Sequence, residues 1–256
     1  MQLYRGLPIL TNQGAGRLVG IWPLDRQGSV GEFRPLAHAE IDAVLADGRT
    51  PVVVGGSGLY FQAALTDFEL PPPVDAAGRA EWERLYDERG PEHVHERLRA
   101  SDPRAAAQVH PNDRKRVIRA LELAAAGSTL VPETSRLWTD ETRHPTLVIG
   151  LDVPPELLEE RIRRRAGEMF DRGVEEEVHA AGEIAPQVLG FDAIRTLARP
   201  EATEEVVRAT RRLAAYQRKW LRRIPGIVRI DANRPVDEVA DAVLAAFIQQ
   251  VARPRQ

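Results

Sequence analysis

The chain has 256 residues and a formal net charge of −3. This length can bury a sizeable core, either as one large domain or as a core with an inserted subdomain. The charge balance gives no global nucleic-acid signature, so any basic site must be local. The sequence contains no cysteine, which excludes disulfide frameworks and thiolate metal sites and indicates a reducing compartment.

No apolar run approaches the ~20 residues that span a membrane, and no signal peptide opens the chain. We therefore expect a soluble, cytoplasmic protein with no membrane partner, and we expect a monomer. Lysine occurs only at Lys115 and Lys219, so almost all of the positive charge is arginine.

The first part of the chain predicts a short strand followed by a capped helix. Residues 18–22 are typical of a short strand. Ser29 and Glu32 have the spacing of a capping box, which predicts the start of a helix. Apolar residues at helical spacing continue to Leu45, and we expect the helix to stop near Gly48.

Residues 51–54 form an unalternated β-branched run, which predicts a parallel strand buried on both faces. Gly55 and Gly56 then allow a sharp turn, and Ser57 supplies the only side-chain hydroxyl in that turn. Ligands of open α/β sheets bind at the carboxyl ends of parallel strands. A plain structural turn is the simpler interpretation of these residues taken alone.

The middle of the chain has the composition of a helical insertion. A proline-rich break at residues 70–73 is a natural boundary, and residues 79–126 are helical and highly charged, with no strand signal. Within this stretch, Asp102-Pro103 predicts one helix start. Residues 110–113 predict the cap of a further helix that runs to Ala126.

Strand signals return only at residues 146–151. A long helix from Glu156, a second long helix over about 203–222 and a closing strand at 227–230 follow. Strands that alternate with helices indicate a parallel sheet. We therefore predict an α/β core made of residues 1–70 and 146–256, interrupted by a helical insertion at 71–145.

Three basic clusters stand out. The first is Arg114–Arg116 with Arg119, and the second is Arg161 with Arg163–Arg165. The third contains Arg208, Arg211, Arg212, Arg218, Lys219, Arg222 and Arg223, with Tyr216 and Trp220 among them. The simpler account of each is a solvated face with i,i+4 pairs to nearby glutamates. Arg165 differs because it borders the apolar face of its helix. Its side chain could point into a cleft there, and its planar guanidinium could bind a phosphate through two hydrogen bonds. The third cluster, with its aromatic residues, has the composition of an RNA-contacting surface.

Six stretches, in the correct order over nearly the whole chain, carry a family resemblance. They are residues 1–9, 55–60, 110–122, the set Arg161, Arg165 and Met169, residues 187–191 and residues 210–222. Together they resemble the bacterial tRNA dimethylallyltransferases, also called tRNA isopentenyltransferases. The resemblance implies transfer of a dimethylallyl group from dimethylallyl diphosphate to the exocyclic amine (N6) of an adenosine. That adenosine lies just 3′ of the anticodon in tRNAs that read codons beginning with U.

The resemblance also implies an α/β fold with a P-loop-NTPase-like parallel sheet core, which is a nucleotide-binding (ATP-binding) type of core. It implies Mg²⁺ as cofactor and a helical tRNA-binding insertion domain that grips the anticodon stem-loop.

The printed sequence departs from the family pattern at its start. Family members begin with a strand, a phosphate loop ending in Gly-Lys-Ser/Thr, a helix and a strand ending in Asp-Ser, and residues 1–256 contain no such unit. The family pattern places the Asp that acts as general base directly before the residues that match Met1-Gln2. We therefore expect Met1 to be an internal methionine taken as a start, and residues 1–256 alone to be inactive. In addition, Ser57 stands where threonine is usual, and Tyr216 replaces an arginine of the late basic motif.

The resemblance implies specific site residues. Arg165 would bind the diphosphate, Ser57 would form a hydrogen bond near the reacting centre, and Arg79 would have a supporting catalytic role. The implied contacts with tRNA are Met1, Gln2, Lys115, Arg116, Val117, Ile118, Arg119 and Arg211. Simpler roles stay open, since Ser57 could only cap its helix and Arg79 could only pair with Glu83 at i+4.

Two other classes of protein also stay open. One is a different P-loop relative such as a small-molecule kinase, which would need neither an RNA-gripping insertion nor the late basic helix. The other is a non-catalytic remnant that still binds tRNA, which the absent phosphate loop and base would favour.

Overall fold

The structure is a computed structural model of the chain, and it describes residues 2–67, 76–131, 141–184 and 186–252. It divides into two compact units, which we call the α/β unit (Met1–Asp67 with Trp138–Gln256) and the helical unit (Phe68–Leu137). The elements found among the described residues are, in chain order, α1 (Val30–Ala46), α2 (Gly58–Leu65), α3 (Ala76–Arg89), α4 (Pro91–Ser101), α5 (Pro103–Gln108), α6 (Arg114–Ala125), β1 (Ile149–Asp152), α7 (Pro155–Asp171), α8 (Val174–Ala181), α9 (Phe191–Thr196), α10 (Arg199–Leu221), β2 (Val228–Asp231) and α11 (Val236–Val251). None of these helices has both the length and the apolar character needed to cross a membrane.

The α/β unit contains a two-stranded parallel sheet. Strand β1 pairs with β2 in a register that sets Ile149 opposite Val228 and Asp152 opposite Asp231. Both strands were predicted, and each lies within a few residues of the expected position. Parallel pairing requires a long crossover, which the chain supplies through the helices between β1 and β2. The fold is therefore α/β, with a small parallel sheet and many helices.

The first helix begins at the predicted capping box. The Ser29 hydroxyl accepts a hydrogen bond from the backbone N–H of Glu32, and the Glu32 carboxylate accepts one from the backbone N–H of Ser29. These two bonds satisfy donors that would otherwise lack partners at the helix N-terminus. The helix stops where expected, because Asp47 caps its C-terminus and Gly48 follows with φ +70°.

Two predicted strands are not formed among the described residues. Residues 18–22 contribute only an isolated parallel bridge between Tyr4 and Trp22. Residues 51–54 have no ladder partner, and Val52 and Val54 are 82% and 88% exposed. A strand requires backbone hydrogen bonds to a neighbouring strand, and no described segment supplies them to residues 51–54. The predicted strand at 18–22 and the predicted buried strand at 51–54 were therefore wrong.

The largest apolar cluster of the α/β unit lies among four of its helices. It contains Ile162 and Phe170 of α7, Val178 of α8, Phe191 of α9 and Val207 of α10, together with Leu7 and Leu10 from the first loop. The Glu177 carboxylate fastens that loop, since it accepts hydrogen bonds from the backbone N–H groups of Ile9 (2.7 Å) and Leu10 (2.8 Å). The chain before α1 is thereby anchored to the helical core.

The helical unit packs α3–α6 around a core of its own. Val94, Leu98, Ile118 and Leu121 are among its fully or almost fully buried residues. Asp102 caps α5 as predicted, by accepting from the backbone N–H of Ala105, and its second oxygen accepts from the Thr129 hydroxyl at 2.6 Å. The helix predicted after residues 110–113 is α6, capped by Asp113. The proline-rich boundary at 70–73 lies outside the described residues.

Candidate functional site

Ser57 lies in the turn that leads into α2. It occupies the N-cap position, yet its side chain makes no capping hydrogen bond, and the residue is exposed. The preceding residue is held by α10, because the Gln217 side-chain amide donates to the Gly56 carbonyl at 3.0 Å. The simpler account of Ser57 as a side-chain helix cap is therefore not what this structure shows.

Arg165 lies in the middle of α7 beside two paired arginines. Arg163 pairs with Glu159 and Glu204 at 2.9 Å each, and Arg164 lies 3.5 Å from Glu168. Arg165 has no ion pair or hydrogen bond within the described residues. Its surroundings remove water from the guanidinium group, and this burial lowers the pKa of Arg165 below its ordinary value. The result is an accessible but partly desolvated cation without a counter-charge.

Three of the seven basic residues of the late cluster pair with acidic neighbours. Arg211 pairs with Glu159 of α7, while Arg208 and Arg212 both pair with Glu205. These pairs fit the simpler account of a solvated, ion-paired face. Arg211, a predicted tRNA contact, is thus engaged by a carboxylate in this structure.

These contacts connect the predicted catalytic residues of the α/β unit. Gln217 joins the turn before Ser57 to α10, and the pair of Arg211 with Glu159 joins α10 to α7, which carries Arg165. Both long helices also pack directly on each other. Helix α10 therefore contacts both the turn that leads to Ser57 and the helix that carries Arg165.

The first turn of α6 presents the basic cluster of the helical unit. Lys115 and Arg116 are exposed, and the backbone N–H of Arg116 donates to the capping Asp113 carboxylate at 3.3 Å. Arg114 is turned toward α3, where it forms a two-pronged pair with Asp87 at 3.0 and 2.8 Å. Two of the predicted tRNA contacts, Lys115 and Arg116, are thus at the surface.

Val117 and Ile118 are both completely buried, at 0% exposure, in the core of the helical unit. An α-helix turns 100° per residue, so a run of five consecutive positions cannot lie on one face. These two side chains are therefore not at the surface and help to hold α6 in place, while contact of residues 117 and 118 with tRNA stays a prediction.

Arg79 of α3 makes the i,i+4 contact that its spacing allows. Its Nε donates to Glu83 at 3.1 Å, and its Nη1 lies 3.7 Å from Glu122 of α6. Glu122 is buried and was not singled out from the sequence, although a glutamate between Leu121 and Leu123 on an apolar stretch is a signal that could have identified it.

The remaining predicted contacts are in the first loop. The Gln2 side-chain amide donates to the carbonyl of Thr11 at 3.2 Å and to that of Asn12, so it stabilises the loop. Met1 lies outside the described residues. No group of three or more His, Cys, Asp or Glu side chains in the described ranges could hold a metal ion.

Comparison with known proteins assigns the family. A family model described as "IPP transferase" matches residues 2–224. The chain is 38% identical to the tRNA dimethylallyltransferase of Salinispora tropica over 274 aligned residues, which cover 99% of this chain and 83% of that protein. It is 40% identical to the tRNA dimethylallyltransferase of Streptomyces griseus, with 89% and 78% covered.

Solved structures agree with this assignment. The full-length tRNA isopentenylpyrophosphate transferase from Bacillus halodurans matches with a TM-score of 0.66 and 27% identity, over 97% of this chain and 85% of that one. A eukaryotic dimethylallyltransferase acting on tRNA matches with a TM-score of 0.73 over 100% of this chain and 72% of that one. At 22% identity it supports the fold alone. The chain therefore belongs to the IPP transferase family, a family of prenyl-transferring enzymes.

Proposed function

We propose that this protein transfers a dimethylallyl group from dimethylallyl diphosphate to N6 of the adenosine 3′ of the anticodon, in tRNAs that read codons beginning with U. The relatives named tRNA dimethylallyltransferase and the family match over residues 2–224 support this reaction class. Membership of a prenyltransferase family also argues against the small-molecule kinase alternative.

The reaction forms a bond between N6 of adenine and the terminal allylic carbon, while the bond from that carbon to the diphosphate oxygen breaks. The diphosphate leaves with the bonding electron pair, and the amine loses a proton. The protein must therefore stabilise charge on the leaving group, orient the amine in line with the carbon and keep water from the cation-like centre.

Arg165 carries the chemical part of the proposal. The Arg165 residue is exposed, its guanidinium is partly desolvated and has no counter-charge among the described residues, and its planar N–H donors match the oxygens of a phosphate. Among the neighbouring arginines of α7, Arg163 and Arg164 already pair with glutamates. We assign the diphosphate to Arg165 because, on α7, Arg163 and Arg164 pair with glutamates and Arg161 donates to the Ala232 carbonyl, while Arg165 has no ion pair or hydrogen bond within the described residues.

Ser57 would form a hydrogen bond near the reacting centre. Its hydroxyl is exposed and does not cap α2, so it is available to a substrate atom. The hydrogen bond from Gln217 to Gly56 fixes the backbone immediately before it. A hydroxyl on a fixed backbone loses little entropy when it binds, which suits a positioning contact.

The helical unit would bind the anticodon stem-loop through Lys115, Arg116 and Arg119. Contacts from basic side chains to phosphates position an RNA without reading its sequence. We propose that the target adenosine is flipped out of the loop so that its amine reaches the allylic carbon. Arg211 would contact tRNA only if its ion pair with Glu159 were replaced by a contact with an RNA phosphate.

The phosphate loop, ATP binding and Mg²⁺ remain predictions. The printed sequence has no Gly-Lys pair, since Lys115 and Lys219 both follow arginines. We infer that residues 1–256 on their own transfer the prenyl group slowly or not at all. A positioned general base alone is typically worth about 10² to 10⁴ in rate.

The proposal is tested with labelled dimethylallyl diphosphate and tRNA. A protein of residues 1–256 preceded by the strand, phosphate loop and Asp-Ser of the family pattern should transfer label to a tRNA that reads UNN codons. It should not label the same tRNA with guanosine in place of the target adenosine. Binding of that tRNA without transfer would favour the non-catalytic alternative. Label on neither tRNA, together with no tRNA binding, would overturn the proposal.

A further inference from the structure

Glu122 is a buried carboxylate in the middle of α6. Its side chain is 1% exposed, and its neighbours Leu121 and Leu123 belong to the buried core. An ionised carboxylate in such a place is costly unless it is paired. Well-packed apolar residues often replace buried ion pairs with no loss of stability, so burial of this group is weak evidence for a role in folding alone.

The two oxygens of Glu122 face two different arginines. Oε2 accepts a hydrogen bond from Nη1 of Arg119 at 3.3 Å, one turn earlier on α6. Oε1 lies 3.7 Å from Nη1 of Arg79 on α3, and it has no hydrogen bond within the described residues. The side chains of Arg79 and Arg119 are 41% and 29% exposed. A buried carboxylate therefore stands beneath two partly exposed guanidinium groups on different helices.

We propose that Glu122 is a positioning residue that orients the partly exposed guanidinium groups of Arg79 and Arg119 toward phosphates of the bound RNA. The inference rests on the proposed function, and it adds a residue that contacts no substrate itself. Glu83 also accepts from Arg79 at 3.1 Å, so these four side chains carry no net charge, and the positive charge that attracts RNA comes from the exposed Lys115 and Arg116 in the first turn of the same α6. Without the carboxylate, the two guanidinium groups repel each other, and each loses its orientation.

The Glu122→Gln change separates this role from general electrostatics. Loss of a negative charge beside an RNA surface would by itself strengthen RNA binding. If Glu122 positions the two arginines, the same change should instead weaken binding, by roughly three- to tenfold. The probe is an anticodon stem-loop RNA of a UNN-reading tRNA, titrated against the full chain. Thermal unfolding and circular dichroism verify that the variant is folded.

Glu83→Gln is the matched control. Glu83 accepts from the same Arg79 at 3.1 Å, but its side chain is 37% exposed. An exposed pair fixes its partner weakly, so this change should leave the RNA affinity within about twofold. If Glu122→Gln fails to fold, Glu122→Asp replaces it, because it keeps the charge and withdraws the carboxylate by one methylene. It should also weaken binding.

A double-mutant cycle completes the test. In an Arg79→Ala, Arg119→Ala background, the change at Glu122 should cause no further loss of affinity, since nothing remains to be positioned. Equal losses in both backgrounds would assign Glu122 to the fold alone and overturn the inference. Tighter or unchanged RNA binding by Glu122→Gln would also overturn it, with the proposed function intact. Wild-type protein that does not bind the RNA would overturn both.

Discussion

The side-chain amide of Gln217 donates a hydrogen bond to the carbonyl of Gly56 at 3.0 Å, across 161 residues of sequence. The same amide nitrogen lies 2.2 Å from the position that a Cβ on Gly56 would take. Gly56 is not among the glycines with positive φ, so its backbone conformation does not demand glycine. A methyl group at this position would therefore displace the Gln217 side chain of α10, and the hydrogen bond between the two residues would be lost.

The effect of Gly56→Ala on the free energy of unfolding should change sign when Gln217 is replaced. In the wild type, the new methyl group must displace the Gln217 amide and break its hydrogen bond, which costs about 0.5–1.5 kcal/mol. In a Gln217→Ala background no amide obstructs it, so the change should be neutral or stabilise the protein by about 0.4–1 kcal/mol. Urea denaturation of the four proteins measures both values. Equal destabilisation in the two backgrounds would show that something other than Gln217 excludes the methyl group.

The combined change of Lys115, Arg116 and Arg119 to alanine should reduce the salt dependence of tRNA binding. About three phosphate contacts would be lost, which flattens the slope of log affinity against log salt by about two to three units. The control is a triple alanine change at Arg84, Arg89 and Arg97, three exposed arginines of the same unit. It removes an equal charge, and its slope should stay near that of the wild type. Equal flattening by both would indicate a general effect of charge.

The Arg165→Ala change should impair prenyl transfer and leave tRNA affinity within a few fold. A charge-assisted hydrogen bond of about 1.5–3 kcal/mol corresponds to a loss of about ten- to a hundredfold in kcat/KM for dimethylallyl diphosphate. Arg164→Ala on the same helix, which removes an exposed pair with Glu168, is the control and should be nearly silent. Steady-state kinetics with residues 1–256 preceded by the phosphate-loop unit of the family pattern provide the measurement. A parallel loss of tRNA binding by Arg165→Ala would instead place this residue in the RNA surface or the fold.

Asp102 should make the helical unit sensitive to acid. Burial raises the pKa of Asp102, but hydrogen bonds from the Thr129 hydroxyl and the Ala105 N–H outweigh it and hold the pKa below its ordinary value. Because the pKa is lower in the folded state, the stabilisation is complete above the unfolded pKa of about 3.9 and is lost as the pH falls through the folded value.

The Asp102→Asn change should therefore flatten the loss of stability below about pH 4. Asp102→Ala should in addition cost about 0.5–2 kcal/mol at neutral pH, since the cap of α5 is lost. Thermal unfolding across the pH range gives both effects. The control is Glu88→Gln, which changes an exposed carboxylate of the same unit and should leave the loss of stability at acid pH unchanged. If Asp102→Asn loses stability at acid pH as steeply as the wild type, Asp102 is not the source of the acid sensitivity.

The sequence alone determined those features that depend on neighbouring residues. The capping box of Ser29 and Glu32, the cap at Asp102 and the cap of α6 at Asp113 all use contacts within three positions. Such contacts recur wherever the pattern recurs, because a helix closes its hydrogen bonds within its own segment. The order of the family-like stretches likewise indicated the family, which the comparisons confirmed.

Only the tertiary structure decided which side chains are free and which are engaged. A strand needs a partner distant in sequence, and residues 51–54, although β-branched, have none among the described residues. The sequence also showed Arg165 and Arg211 as two similar arginines, while the fold brings Glu159 to Arg211 and desolvates Arg165. The flanking leucines could indicate from the sequence that Glu122 is buried, but only the packing of α3 on α6 shows that it lies near both Arg79 and Arg119. Burial and pairing depend on segments far apart in the chain, and a local pattern contains no information about which of them will meet.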